Sequence, residues 1–184
     1  MQNRILTSEV VNKVGESVGI SGWIERVRSH GKVAFFDIRD RGGVLQVVAA
    51  TAETVTSVEV LSVQSVVTIT GTVKERGERY VNPNIPLGSV EVELTQPVEI
   101  ISKAEEMPFD MGGTELNLQL PTLLDFRTLT LRNQKIADIF RVQAEVLEGF
   151  RKAATSIGAV EIVVPTISAS ATEGGAEVFP VQYY

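Results

Sequence analysis

From about residue 15 to residue 101 apolar and polar residues alternate with a period of two, and glycine-rich turns cut the alternation at short intervals. Successive side chains of a strand point to opposite faces, so this period belongs to strands with one face in a core. The stretch is therefore confined to a sheet and excluded from a helical bundle. Candidate strands are Val18 to Arg28, Val33 to Arg39, Val44 to Ala49, Val66 to Lys74 and Val90 to Ile100. Turns fall at His30-Gly31, at Arg41-Gly42-Gly43 and around Asn82-Pro83-Asn84-Ile85-Pro86. A short helix is expected between the third and fourth strands, near Ser57 to Val63.

Five strands with a helix between the third and fourth match the order of the OB fold, a small, partly open barrel that binds oligonucleotides on one face. An SH3-like barrel is the main structural competitor. After the barrel the pattern changes. Residues 103–131 carry Pro108, Gly112-Gly113 and Pro121 and read as a hinge or linker. Ile136, Ile139, Phe140, Val146, Leu147 and Phe150 then recur at three- and four-residue spacing, which predicts an amphipathic helix ending near Gly158. Val160-Glu161-Ile162-Val163-Val164-Pro165 reads as a buried strand stopped by its proline. The expected class is α+β: a barrel over residues 1–102, the hinge, and the first helix and strand of a second domain over 132–184.

Composition removes several chemistries. The 184 residues hold no cysteine and one histidine, which excludes disulfides and thiol nucleophiles and disfavours a histidine-rich metal site; no metal ligands are assigned. No apolar run approaches the roughly 20 residues of a membrane span, and the N-terminus lacks a signal-peptide pattern, so a cytoplasmic protein without a membrane partner is expected. A net charge of −6 argues against a broad basic surface for nucleic acid. Between Glu25 and Arg41, however, five basic side chains (Arg26, Arg28, Lys32, Arg39 and Arg41) face three acidic ones (Glu25, Asp37 and Asp40). A local basic face of this size suits a short single-stranded segment.

The faces of the strands sharpen that expectation. On the second strand Ala34, Phe36 and Ile38 share one apolar face, which leaves Phe35 outside with Asp37 and Arg39. An exposed aromatic flanked by charge is a stacking platform for a base. Leu45 and Val47 point inward by the same logic and Gln46 outward, while Arg26 and Arg28 share a face with each other. Arg26, Arg28, Phe35 and Gln46 are thus candidates for one concave surface, with arginines for phosphates or base edges and the Gln46 amide for a base edge. The bland alternative is a Phe35 that fills a contact against the helical part and arginines that are merely solvated. Glu173, before Gly174-Gly175, has a carboxylate suited to an ammonium group; a solvated turn is its competing explanation.

Together these segments resemble the aspartyl-tRNA synthetases, within the class II aminoacyl-tRNA synthetases. The resemblance is carried by Gly22-Trp23-Ile24, by Phe35-Phe36-Asp37-Ile38-Arg39-Asp40-Arg41-Gly42-Gly43-Val44-Leu45-Gln46-Val47, by Asp125-Phe126-Arg127 to Leu131-Arg132, and by Ala171-Thr172-Glu173-Gly174-Gly175-Ala176-Glu177-Val178-Phe179-Pro180. The Thr-Glu-Gly-Gly loop looks like the archaeal-type form. The resemblance implies a barrel that reads the tRNA anticodon, with Phe35 stacked on the middle uracil, Gln46 helping to read it and Arg28 on the first base. Arg76, Asn82 and Glu91 lie where the family has further anticodon contacts. His30 sits where such enzymes carry a histidine when they charge both aspartate and asparagine tRNAs. The helix and following strand look like motif 1, which implies a homodimer, and Glu173 matches the glutamate that holds the ammonium group of aspartate.

Departures from the family pattern are equally visible. Motif 2, motif 3 and the Gln-Ser-Pro-Gln stretch have no counterpart in the 184 residues, and the hinge signature is altered to Leu129-Thr130-Leu131-Arg132-Asn133. The chain reads as the front portion of a larger enzyme that would use ATP and Mg2+; neither is expected to be bound by this portion, which is expected not to charge tRNA alone. The rivals are a free-standing RNA-binding barrel without catalysis and an asparaginyl-tRNA synthetase.

Overall fold

Strands β1 (Ser17–His30), β2 (Val33–Asp40), β3 (Gly43–Ala49), β4 (Val66–Glu75), β5 (Val90–Leu94) and β6 (Glu99–Ser102) form one sheet in the order β1-β2-β3-β5-β4-β6. A further antiparallel pairing of β1 with β4 joins the first five into a closed barrel. The computed structural model describes residues 4–83, 85–111, 115–165 and 182. It divides into two compact units, Met1–Asn133 and Gln134–Tyr184.

Alternation accounts for the barrel interior. Ile20, Ile24, Phe36, Ile38, Leu45, Val47, Ile69, Val73 and Val92 are all buried in one cluster, and β4 alternates buried and half-buried residues from Val66 to Val73. Closure requires close backbone approach. A Cβ at Gly71 would lie 2.4 Å from the carbonyl oxygen of Glu93, nearer than any side chain tolerates. A 3-10 helix, Thr7–Asn12, packs its buried Val10 against the barrel core. Its Thr7 donates its N–H (3.0 Å) and its hydroxyl to the buried carboxylate of Asp40, which also accepts from the Gly42 N–H at 2.7 Å. The second acidic residue of the Asp37-to-Asp40 segment is thus fully occupied in holding the fold together.

Several elements differ from the sequence expectation. The helix after β3, α1, spans Ala52–Glu59 rather than starting near Ser57. The Thr51 hydroxyl accepts from the Thr54 N–H at 3.3 Å, and the Thr54 hydroxyl accepts from the Thr51 N–H at 3.2 Å, so this pair of caps fixes an earlier start. The fifth predicted strand is broken in two. Pro97 has no N–H to donate, the chain bends over Thr95–Val98, and β6 resumes pairing with β4 at Val66–Thr68. Residues 103–131 are not wholly irregular, since α2 (Leu120–Asp125) and α3 (Arg127–Thr130) lie within them.

This stretch is pinned to the barrel at both ends. The Ala104 N–H donates to the Ser65 hydroxyl at 3.0 Å, and Arg132 Nη1 donates to Gln64 Oε1 at 2.6 Å. Gln64 is buried in the left-handed region at φ 69°, held there by its N–H donating to the Ile24 carbonyl at 2.7 Å.

In the second unit the predicted long helix is present as α4, Gln134–Ser156, ended by Gly158 at φ 84°. None of its residues is buried. The strand expected over 160–165 is not formed: these residues are exposed and have no strand partner among the described residues. A lone extended segment has unpaired backbone groups and gains nothing over solvated coil until another strand lies beside it.

Candidate nucleic-acid interface

The register of β1, β2 and β3 sets side chains in rows across the outer face of the barrel. Arg28 stands opposite Phe35, and Phe35 opposite Val48; Arg26 stands opposite Asp37, and Asp37 opposite Gln46. Strict alternation from the buried Ile24 would turn Arg26 and Arg28 inward. They face outward because β1 carries a bulge between Ile24 and Arg26, where Glu25 is the extra residue against β2. Val27, opposite Phe36, then packs on the core in their place.

These rows line a cavity of about 410 Å³ bounded by Arg28, His30, Phe35, Gln46, Val48, Arg76, Gly77, Tyr80 and Glu91. Six of the side chains singled out in the sequence, Arg28, His30, Phe35, Gln46, Arg76 and Glu91, are brought together there. Arg26 and Asn82 are not among the lining residues. Asn82 instead shapes the β4–β5 loop, its N–H donating to the Gly88 carbonyl at 3.1 Å and its carbonyl accepting from Ile85 at 3.3 Å. Glu173 lies outside the described residues. The sequence reading missed Tyr80, a residue 72% exposed at the end of a 3-10 turn, Glu78–Tyr80. An exposed aromatic in a turn was the available signal.

Arg28, Gln46, Arg76 and Glu91 in the cavity wall are each engaged with a neighbouring polar side chain. Arg28 Nη2 donates to Asp37 Oδ1 at 2.9 Å. Gln46 Nε2 donates to Glu91 Oε2 at 3.0 Å, while Gln46 Oε1 accepts from Arg76 Nη2 at 3.2 Å. The Nε atoms of Arg28 and Arg76 are buried with no hydrogen-bond partner among the described residues, although Arg76 Nε stands 3.6 Å from the Glu91 carboxylate. Burial pushes the Asp37 carboxyl above its ordinary value, against the opposing pull of Arg28, Arg26 and Arg76. His30 meets Phe35 edge-on, 6.2 Å between ring centroids, and both rings line the cavity. Further along the same face Arg39 lies 5.5 Å over the Trp23 ring and donates to Glu25 at 2.7 Å. An aromatic face, fixed amide edges and neutralised arginines are the equipment for holding an unpaired base.

A closed five-stranded barrel with such a cavity on its outer face defines an OB-fold nucleic-acid-binding domain. Comparison with known families agrees: residues 18–97 match the OB-fold nucleic acid binding domain of the tRNA anticodon group, and residues 119–184 match the class II tRNA synthetases of the D, K and N type. Over residues 119–184 the chain is similar to these class II tRNA synthetases, and the relatives it matches are named aspartate–tRNA(Asp/Asn) ligases. It is 35% identical over 191 aligned positions to the aspartate–tRNA(Asp/Asn) ligase of Haloquadratum walsbyi, covering 100% of this chain and 41% of the relative. It is 38% identical over 162 positions to that of Erythrobacter litoralis, covering 88% and 26%. Among solved structures, the asparaginyl-tRNA synthetase of Pyrococcus horikoshii with asparaginyl-adenylate superposes with a TM-score of 0.77 at 28% identity, over 100% of this chain and 41% of that one. The chain thus spans less than half the length of these proteins.

Proposed function

We propose that the barrel is the anticodon reader of an aspartate–tRNA ligase that accepts both aspartate and asparagine tRNAs. The observation that carries this is the convergence of Arg28, His30, Phe35, Gln46, Arg76 and Glu91, drawn from β1, β2, β3, β5 and the β4–β5 loop, on one cavity. Phe35 stacks on the middle base of the anticodon, Gln46 pairs with its edge, and Arg28 meets the first base. The outward arginines are tied to carboxylates, so they present N–H groups to neutral base edges rather than bare charge to phosphates. His30 in the cavity lining and the relatives named for both tRNAs support the dual specificity.

The complete reaction, ATP-dependent activation of aspartate and its transfer to tRNA in the cytoplasm, belongs on this proposal to the longer enzyme. Among the described residues no cluster of three or more His, Cys, Asp or Glu is arranged to hold a metal ion. Glu173 is proposed to receive the ammonium group of aspartate, and α4 to lie at a homodimer interface.

The test is titration of the chain with anticodon stem-loops of aspartate and asparagine tRNAs. Binding to both is expected, weakened by about ten- to a hundredfold in Phe35→Ala, the range of one lost base stack. Binding to neither by folded protein refutes the proposal, and binding to the asparagine stem-loop alone favours an asparaginyl enzyme.

A further inference from the structure

Among the described residues Gln64 is the one residue other than glycine with a positive φ, 69°, and it is buried. A Cβ is crowded in this region, so glycine takes such a position without strain and another side chain stays there only if its surroundings hold it. The Gln64 side chain is held by its amide oxygen, which accepts from Arg132 Nη1 at 2.6 Å. Arg132 lies in the short connection between α3 and α4.

The backbone of the same residue holds β1. Gln64 donates its N–H to the Ile24 carbonyl at 2.7 Å, and the Ile24 N–H donates to the Ser65 carbonyl at 2.9 Å. These are the last bonds on that edge of β1. Pairing with β4 ends at Trp23, and from Arg26 to His30 the strand pairs with β2 alone. Between the two regions lies the bulge at Glu25, where the ladder is broken and the strand bends. The arm beyond it carries Arg28 and His30 to the cavity. The direction of that arm is thus set at Ile24, and Ile24 is set by Gln64.

We propose that Arg132 and Gln64 are positioning residues for RNA binding, which join the stretch after the barrel to the arm of β1 through Ile24. Neither side chain lines the cavity. Arg132 holds the Gln64 side chain, the strained Gln64 backbone holds the Ile24 carbonyl, and the bulge turns from that fixed point. A glycine at position 64 would serve the turn alone; the glutamine adds a grip for the guanidinium. The proposal rests on the anticodon-reading role and adds to it a control exerted from outside the cavity.

The experiment uses the full chain, the anticodon stem-loop of aspartate tRNA and two variants. Gln64→Gly accepts φ 69° without strain and keeps the N–H, but removes the oxygen that Arg132 holds. Arg132→Met removes the guanidinium and keeps an apolar stem, and either variant serves if the other does not fold. Stem-loop binding by the folded protein is expected to weaken about five- to tenfold in each, and no further in the double variant. A residue that merely supports the fold would lower the urea midpoint and leave the affinity of the folded protein unchanged. In Arg132→Met the Gln64 and Ile24 amides should also exchange hydrogen faster than in wild type, while the amides of β5 do not. Unchanged affinity in a folded variant, losses that add in the double variant, or unchanged exchange at Ile24 overturns the proposal. Wild type that binds no stem-loop overturns the anticodon reading and this proposal with it. Wild-type binding that is lost in Phe35→Ala but kept in both folded variants overturns the positioning role alone.

Discussion

Beneath the arginines the side chain of Asp37 is only 18% exposed, and burial outweighs the attraction of Arg28, Arg26 and Arg76 in raising its pKa above 3.8. The folded state therefore binds this proton more tightly than the unfolded chain does. Its contribution to stability is complete below pH 3.8 and is lost as pH rises through the higher folded value. Asp37→Asn does not titrate. The stability of the wild type relative to Asp37→Asn should decline across that window and level off towards neutrality, as followed by urea unfolding of both proteins. A difference that instead grows with pH would mean that the guanidinium groups dominate burial. The residue thus carries an ionisation penalty to keep Arg28 aimed at the cavity, which is the kind of local conflict expected where binding matters more than stability.

At the scale of elements, closure of the barrel depends on β4 lying against both β1 and β5. Gly71→Ala should cost about 1–3 kcal/mol, because its methyl would collide with the Glu93 carbonyl and with Val92, and a lowered urea midpoint is the check. The strands themselves were legible, since the inward sets Ala34-Phe36-Ile38 and Leu45-Val47 follow directly from alternation, and with them the outward placement of Phe35 and Gln46. What alternation could not show was why Arg26 and Arg28 face out. That depends on the bulge at Glu25, one residue in excess on β1, whose trace in the sequence is only the change of inward parity from Ile24 to Val27. The start of α1 is not written in the apolar pattern, because it is set by the hydroxyl caps Thr51 and Thr54. The strand expected over 160–165 failed for a different reason: an apolar run states that burial is wanted and not what will provide it.

The second unit shows this want at the scale of the molecule. Ile139, Val146, Leu147 and Phe150 of α4 are 61%, 64%, 49% and 73% exposed, and a stripe of that kind drives association in water. The chain is expected to self-associate, and Phe150→Glu to shift it towards monomer in sedimentation velocity over a range of concentrations. A wild type that stays monomeric throughout would contradict this. The two ties of the stretch after the barrel lead elsewhere. Ser65 receives Ala104 and its neighbour Gln64 receives Arg132, so the chain departs from and returns to the same spot on the barrel. The residues between are a detour whose two ends share an address. Their number can change by insertion or deletion without moving the place where Arg132 meets Gln64.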